Sequence, residues 1–186
     1  MIGKKVDMLK PRILVLTSMI LAAAATRLIP HPPNMTAVAA VALFGGAYFS
    51  EKWLAFLVPL TAMFLSDLVL GFYRHMEGVY LSFALIVVIG LWLQNRRSPT
   101  VIAGAVLLSS VLFFVVTNFS VWALGTMYPR TWDGLAACYV AAIPFFRNEM
   151  LGDFLYSGLL FGGFALLEKT VPALRSHALP EAAYTG

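Results

Sequence analysis

Residues 101–124 read VIAGAVLLSSVLFFVVTNFSVWAL, a run of 24 with no charged side chain and one amide, Asn118. At about 1.5 Å per residue a helix of that length reaches about 36 Å, enough to cross a hydrocarbon layer of about 30 Å. Backbone polar groups in such a layer must be satisfied within the segment, so the run reads as a membrane-spanning helix. The texture repeats on both sides of it. The expected spans are residues 13–29, closed by Pro30, then 35–49, 53–73, 79–94, 101–124 and 149–168. The second and fourth are short for the layer and need flanking residues or a thin region. A further apolar run, Gly134 to Phe146, carries Pro144 near its end and reads as a short external or re-entrant helix. The expected fold is therefore an all-α integral membrane protein with six transmembrane helices and that extra helix. It forms one domain over residues 1–186, with a mobile tail at 172–186.

Composition agrees. Of 186 residues, 60% are apolar and 12% charged, and mean hydropathy is +0.83. Soluble domains carry roughly a quarter charged residues, and a water-facing core of this size cannot hide so much apolar surface. The aromatic content excludes disorder. The net charge of +4 is too small to argue for nucleic acid as a partner. The single cysteine, Cys138, excludes an internal disulfide framework and a cysteine metal cluster. No HExxH, GxSxG or Walker motif occurs, so neither catalysis nor self-powered transport is indicated, and no cofactor is implied.

The basic residues set the expected orientation. With the N-terminus inside, Lys4, Lys5, Lys10, Arg12, Lys52, Arg96, Arg97, Lys169 and Arg175 fall on the cytoplasmic side. Arg27, Arg74, Arg130 and Arg147 fall outside. That bias is the positive-inside rule, and it puts both termini in the cytoplasm of a bacterial inner membrane protein. Lys4 to Arg12, the run from Ile13 and the small residues Ala22 to Ala25 also imitate a secretory signal peptide. The topology beyond residue 30 is the same in either case.

On this orientation Arg27, Asp67, Asn118 and Asp153 all lie in the outer part of the membrane, while the inner halves hold little polar beyond serine, threonine and Gln94. The external connections are chemically rich: His31 to Asn34, Tyr73 to Glu77, and Gly125 to Asn148. Long loops of that kind are usually functional, and their position points to a pocket open to the outside. Asp67 needs a partner at its depth, and Arg27 is the expected one; Asp153 with Arg147 forms a second expected bridge. Trp122, Trp132, Tyr73, Tyr80 and Tyr128 also fit an interfacial aromatic belt. Small residues repeat every four positions at Ser18, Ala22 and Thr26, at Ala42, Gly46 and Ser50, and at Gly158 and Gly162. Such faces let helices approach closely, here expected mainly within the bundle.

The stretch RLIPHPPNMT at 27–36, followed by ALFGGAYF at 42–49, is similar to the first two helices of S components, the substrate-binding membrane subunits of energy-coupling-factor vitamin transporters. LSDLVLGF at 65–72 and PFFRNEMLGD at 144–153 resemble a branch of small six-span bacterial membrane proteins near that family. The resemblance covers about residues 12 to 168. It implies six helices with both termini inside, a vitamin-sized pocket near the outer face, and docking onto a transmembrane coupling subunit driven by ATPases. Some relatives are similar to cobalamin carriers with a loop cysteine on cobalt. Here the region after the third helix holds His75 and no cysteine, which makes His75 the cobalt-ligand candidate if the substrate is a corrinoid.

The leading expectation is a membrane subunit that binds a vitamin or similar small-molecule micronutrient. Asn34, His75, Tyr80, Asn118, Trp122 and Arg147 are the expected contacts, with Arg27, Asp67 and Asp153 supporting the pocket. The alternatives are a membrane-embedded enzyme on a lipid or quinone-like substrate, using Asp67 or His75, and a ligand-free assembly subunit acting through its small-residue faces.

Overall fold

The computed structural model describes residues 2–175, with side chains from residue 11 onward. Six α-helices and no strand occur among the described residues. They are α1 (Ile2–Ala25), α2 (Val38–Tyr48), α3 (Lys52–Leu70), α4 (Met76–Leu93), α5 (Pro99–Leu124) and α6 (Trp132–Thr170). All but α2 are long and apolar enough to cross a membrane, and the chain is an all-α membrane protein. The lysines expected to mark the N-terminal side, Lys4, Lys5 and Lys10, have side chains outside the described residues.

The second expected span, 35–49, is shorter than the sequence suggests. α2 has 11 residues, so it rises only about 16 Å, roughly half the hydrocarbon thickness. Pro32 and Pro33 precede Asn34 at φ 62, and Met35 N–H bonds back to the Pro32 carbonyl at 3.0 Å. This turn spends the backbone that the helix would have used, so α2 starts at Val38. Every residue from Val38 to Tyr48 is buried. A helix apolar on all sides belongs inside a bundle, and α2 is packed by α1, α3, α4, α5 and α6. Its tightest crossing is with α4, where a Cβ on Gly90 would lie 2.8 Å from Gly46 Cα.

The expected external helix at 134–146 and the expected span at 149–168 are one element. α6 runs unbroken through Pro144 for 39 residues. Thr131 caps its start by accepting from Gly134 N–H at 3.2 Å, and Asp133 in the first turn suits the positive helix end. Its first half lies along α5: Tyr139 donates to the Val115 carbonyl at 2.7 Å, and Phe114 stacks on Phe146 at 4.7 Å between ring centres. A proline inside a membrane helix is tolerated where neighbours cover the freed carbonyl.

The connections 26–37, 71–75 and 125–131 meet at one end of the bundle, and the start of α1 and the end of α6 meet at the other. At that second end Gln94 donates to the carbonyls of Gly46 at 3.1 Å and Phe49 at 2.9 Å, satisfying the C-terminus of α2. Arg12 is buried there. It pairs with Glu168 at 2.6 Å, donates to the Leu174 carbonyl and stacks 5.1 Å over the Phe164 ring. A buried pair at this end corrects the expectation that it holds little but serine, threonine and Gln94. The tail expected to be mobile from 172 begins with a docked turn, Pro172–Leu174, whose Leu174 is buried. The rest of that expectation, 176–186, lies outside the described residues.

Two of the three small-residue faces also differ from expectation. Gly46 is used within the bundle, but Ser18 and Ala22 are exposed, and a Cβ on Gly158 or Gly162 would meet nothing within 4 Å among the described residues.

Candidate functional site

Because α2 covers only half a span, space remains beyond its N-terminus. That space is a cavity of ≈ 390 Å³. Val38 and Ala39 from the first turn of α2 line it, and no side chain caps that turn. Free N–H groups and the positive end of the helix dipole therefore border the cavity. The turned segment before α2 adds Asn34 and Thr36. Asn148 on α6 pins this segment by donating to the Pro33 carbonyl at 3.1 Å.

One wall is aromatic. Phe113 and Phe114 come from α5 and Phe145 and Phe146 from α6. Thr117 and Asn118 lie beside them on α5, but the Asn118 amide nitrogen donates to its own helix at Phe114 O, 2.8 Å away, leaving its oxygen for other partners. The other wall carries charge. Arg27 lines the cavity, and its guanidinium is held from behind by Asp67 at 2.8 Å, by Ser66, and by Met63 Sδ at 3.0 Å. Tyr80 donates to the second Asp67 oxygen at 2.8 Å. Glu149 and Asp153 lie one turn apart on α6 and both line the cavity. Asp153 accepts from Ser110 at 2.7 Å. Glu149 is buried, and its Oε1 has no hydrogen-bond partner among the described residues. His31 from the segment before α2 and Tyr73 from the connection between α3 and α4 also line it; for Tyr73 the titration is set by its surroundings. Burial pushes its phenol above the usual range, Asp67 adds to this and Arg27 opposes it, so it remains a neutral donor at pH 7.

Of the six contacts expected from sequence, Asn34 and Asn118 line the cavity. The other four do not. His75 starts α4 in a left-handed conformation, φ 64, and its ring lies against Gly125 at the end of α5. Tyr80 is spent on Asp67, behind Arg27. Trp122 closes the connection after α5 by donating to the Pro129 carbonyl at 3.0 Å. Arg147 is exposed on α6, and its expected bridge to Asp153 does not form, because residues six apart point to different sides of a helix. Of the supporting residues, Arg27 and Asp153 line the cavity and Asp67 stands one layer back.

Glu149 is the principal residue that sequence reading missed. Arg147-Asn148-Glu149 resembles a polar loop in one dimension and falls at the boundary of the sixth expected span. The available signal was the spacing of Glu149 and Asp153, four apart on one helical face.

The chain belongs to DUF6580, a family of unknown function, whose match covers residues 7–174. No curated protein and no solved structure matches it.

Proposed function

We propose that this DUF6580 member is a substrate-binding membrane subunit that captures a vitamin-sized micronutrient in the cavity above α2. The half-length helix carries the reading. A buried helix that stops midway and opens uncapped onto a mixed polar and aromatic cavity is a costly arrangement for packing alone. Discontinuous helices of this kind build substrate sites in transporters. The volume, ≈ 390 Å³, sits at the lower end of the roughly 300–1,000 Å³ of ligand pockets. That favours a ligand smaller than a corrinoid, and the position of His75 removes the candidate cobalt ligand from the cavity.

Orientation is part of the proposal. Arg12, Lys52, Arg96, Arg97, Lys169 and Arg175 gather at the end away from the cavity, and the positive-inside rule then turns the cavity outward and both termini to the cytoplasm. The exposed faces at Ser18 and Ala22 and at Gly158 and Gly162 are the surfaces on which an ATPase-driven coupling subunit would pack. The rival enzyme reading names Asp67 or His75 as its acid or base; Asp67 is engaged by Arg27 and Tyr80, and His75 does not line the cavity.

Native mass spectrometry of the gently purified protein should find a retained small molecule. One member of a vitamin panel should raise the Tm by mass action on the folded state. An empty protein, a silent panel and normal vitamin uptake in a deletion strain would together overturn the reading.

A further inference from the structure

The polar groups around the cavity do not all satisfy one another within the chain. Among the described residues Arg27 is the one arginine or lysine lining it and is committed to Asp67, while His31, which also lines it, has its Nδ1 2.6 Å from the Ile29 carbonyl oxygen. Glu149 and Asp153 face the same space, and the two ion pairs among the described residues, Arg12–Glu168 and Arg27–Asp67, include neither. Ser110 supplies Asp153 with one neutral donor. Glu149 is 7% exposed and its Oε1 has none among the described residues. The N-terminus of α2 contributes the equivalent of about half a positive charge, which offsets part of one carboxylate and not two. Buried acceptors are almost always bonded, and buried charges are paired or bind metal. None of the described donors around the cavity bonds Glu149 Oε1, and a ligand in the cavity would supply one.

A metal ion does not fit the vacancy in bonding. Hard cations take six or more oxygens, and no group of three metal-ligating side chains occurs among the described residues. An organic cation does fit. Four phenylalanines beside the carboxyls offer flat apolar surface and ring faces that attract positive charge. A planar N–H pair matches a carboxylate in two parallel bonds.

We infer, building on the capture reading above, that the ligand is a small aromatic amine or amidine. Its ring lies against Phe114 and Phe146, and its nitrogen-bound hydrogens are donated to Glu149 with Asp153 as the second acceptor. Micronutrients whose polar end is a carboxylate are rejected, because they would meet two like groups while the guanidinium is already taken.

The test uses the full chain in nanodiscs and two sets of ring-sized probes, benzamidine and benzylamine against benzoate and nicotinate. Thermal unfolding should shift upward with the two cations in a concentration-dependent way and stay unmoved by the two carboxylates. Glu149→Gln should weaken benzamidine by about tenfold or more, the loss expected for one charge-assisted hydrogen bond. Asp153→Asn should weaken it less, and Arg147→Gln should leave it unchanged. Stabilisation by the carboxylates overturns the inference, as does an unchanged benzamidine affinity in whichever of the Glu149 and Asp153 variants folds. A carboxylate found as the retained molecule in native mass spectrometry overturns it while leaving capture intact. A silent panel, an empty protein and normal vitamin uptake in the deletion strain together overturn both.

Discussion

Asp67 is fully buried and serves two partners, Arg27 through one oxygen and Tyr80 through the other. The two are not equivalent. Removing the carboxylate leaves a guanidinium uncompensated at membrane depth, so Asp67→Asn should cost about 3–5 kcal/mol of stability. Tyr80→Phe removes one hydrogen bond and leaves the ion pair, so it should cost about 1–2 kcal/mol. Thermal or denaturant unfolding in one detergent checks the ranking, and equal losses would show that Arg27 has another partner. The Arg27–Asp67 association was legible in sequence because both residues lie near the same end of their apolar stretches. Glu149 was not. A carboxylate beside an arginine and an asparagine looks solvated in one dimension, and only the continuity of α6 turns it inward. His75 and Arg147 show the opposite case: each is a chemistry-bearing residue in a rich segment, yet backbone geometry and helical phase point them away from the cavity.

Among the elements, the crossing of α2 and α4 is the tightest point. Gly46 and Gly90 meet backbone to backbone, so Gly90→Leu should cost about 1–3 kcal/mol or more through overpacking. Gly158→Leu, on an open face, should leave the stability of the isolated protein unchanged within about 0.5 kcal/mol. Differential scanning fluorimetry of both variants distinguishes an internal glycine from an outward one. Hydrophobic length gives α3, α4 and α5 to within a few residues at both ends, while α1 starts at Ile2, well before the apolar stretch that opens at residue 13. The other two failed for identifiable reasons. An apolar stretch gives the length available to a helix, but the Pro32-Pro33-Asn34 turn decides how much of it α2 keeps. Conversely, Pro144 and the polar triplet after it look like a break, yet packing on α5 carries the helix through them.

For the molecule as a whole, the proposed orientation has a direct test. In a Cys138→Ser background, Met127→Cys in the α5–α6 connection should react with a membrane-impermeant maleimide on intact cells. Asn95→Cys in the α4–α5 connection should react only after permeabilisation. The reverse pattern would turn the cavity to the cytoplasm and remove it from capture at the outer face. Composition made the membrane class legible, since no soluble architecture absorbs this much apolar surface. The cavity was legible only as a tendency of polar residues to collect at one end. Its cause, a helix half as long as its neighbours, depends on where a turn stops, which hydropathy does not record.

The contact between Arg12, Glu168 and Leu174 also bears on how the protein is made. The partners lie 156 and 162 residues apart. A ribosome feeding this chain into a bilayer delivers the arginine first and its carboxylate only after five further helices have been threaded. The pair therefore ties the two ends of the chain to each other, and a chain truncated before Glu168 should unfold at lower temperature than the full one because Arg12 loses this partner.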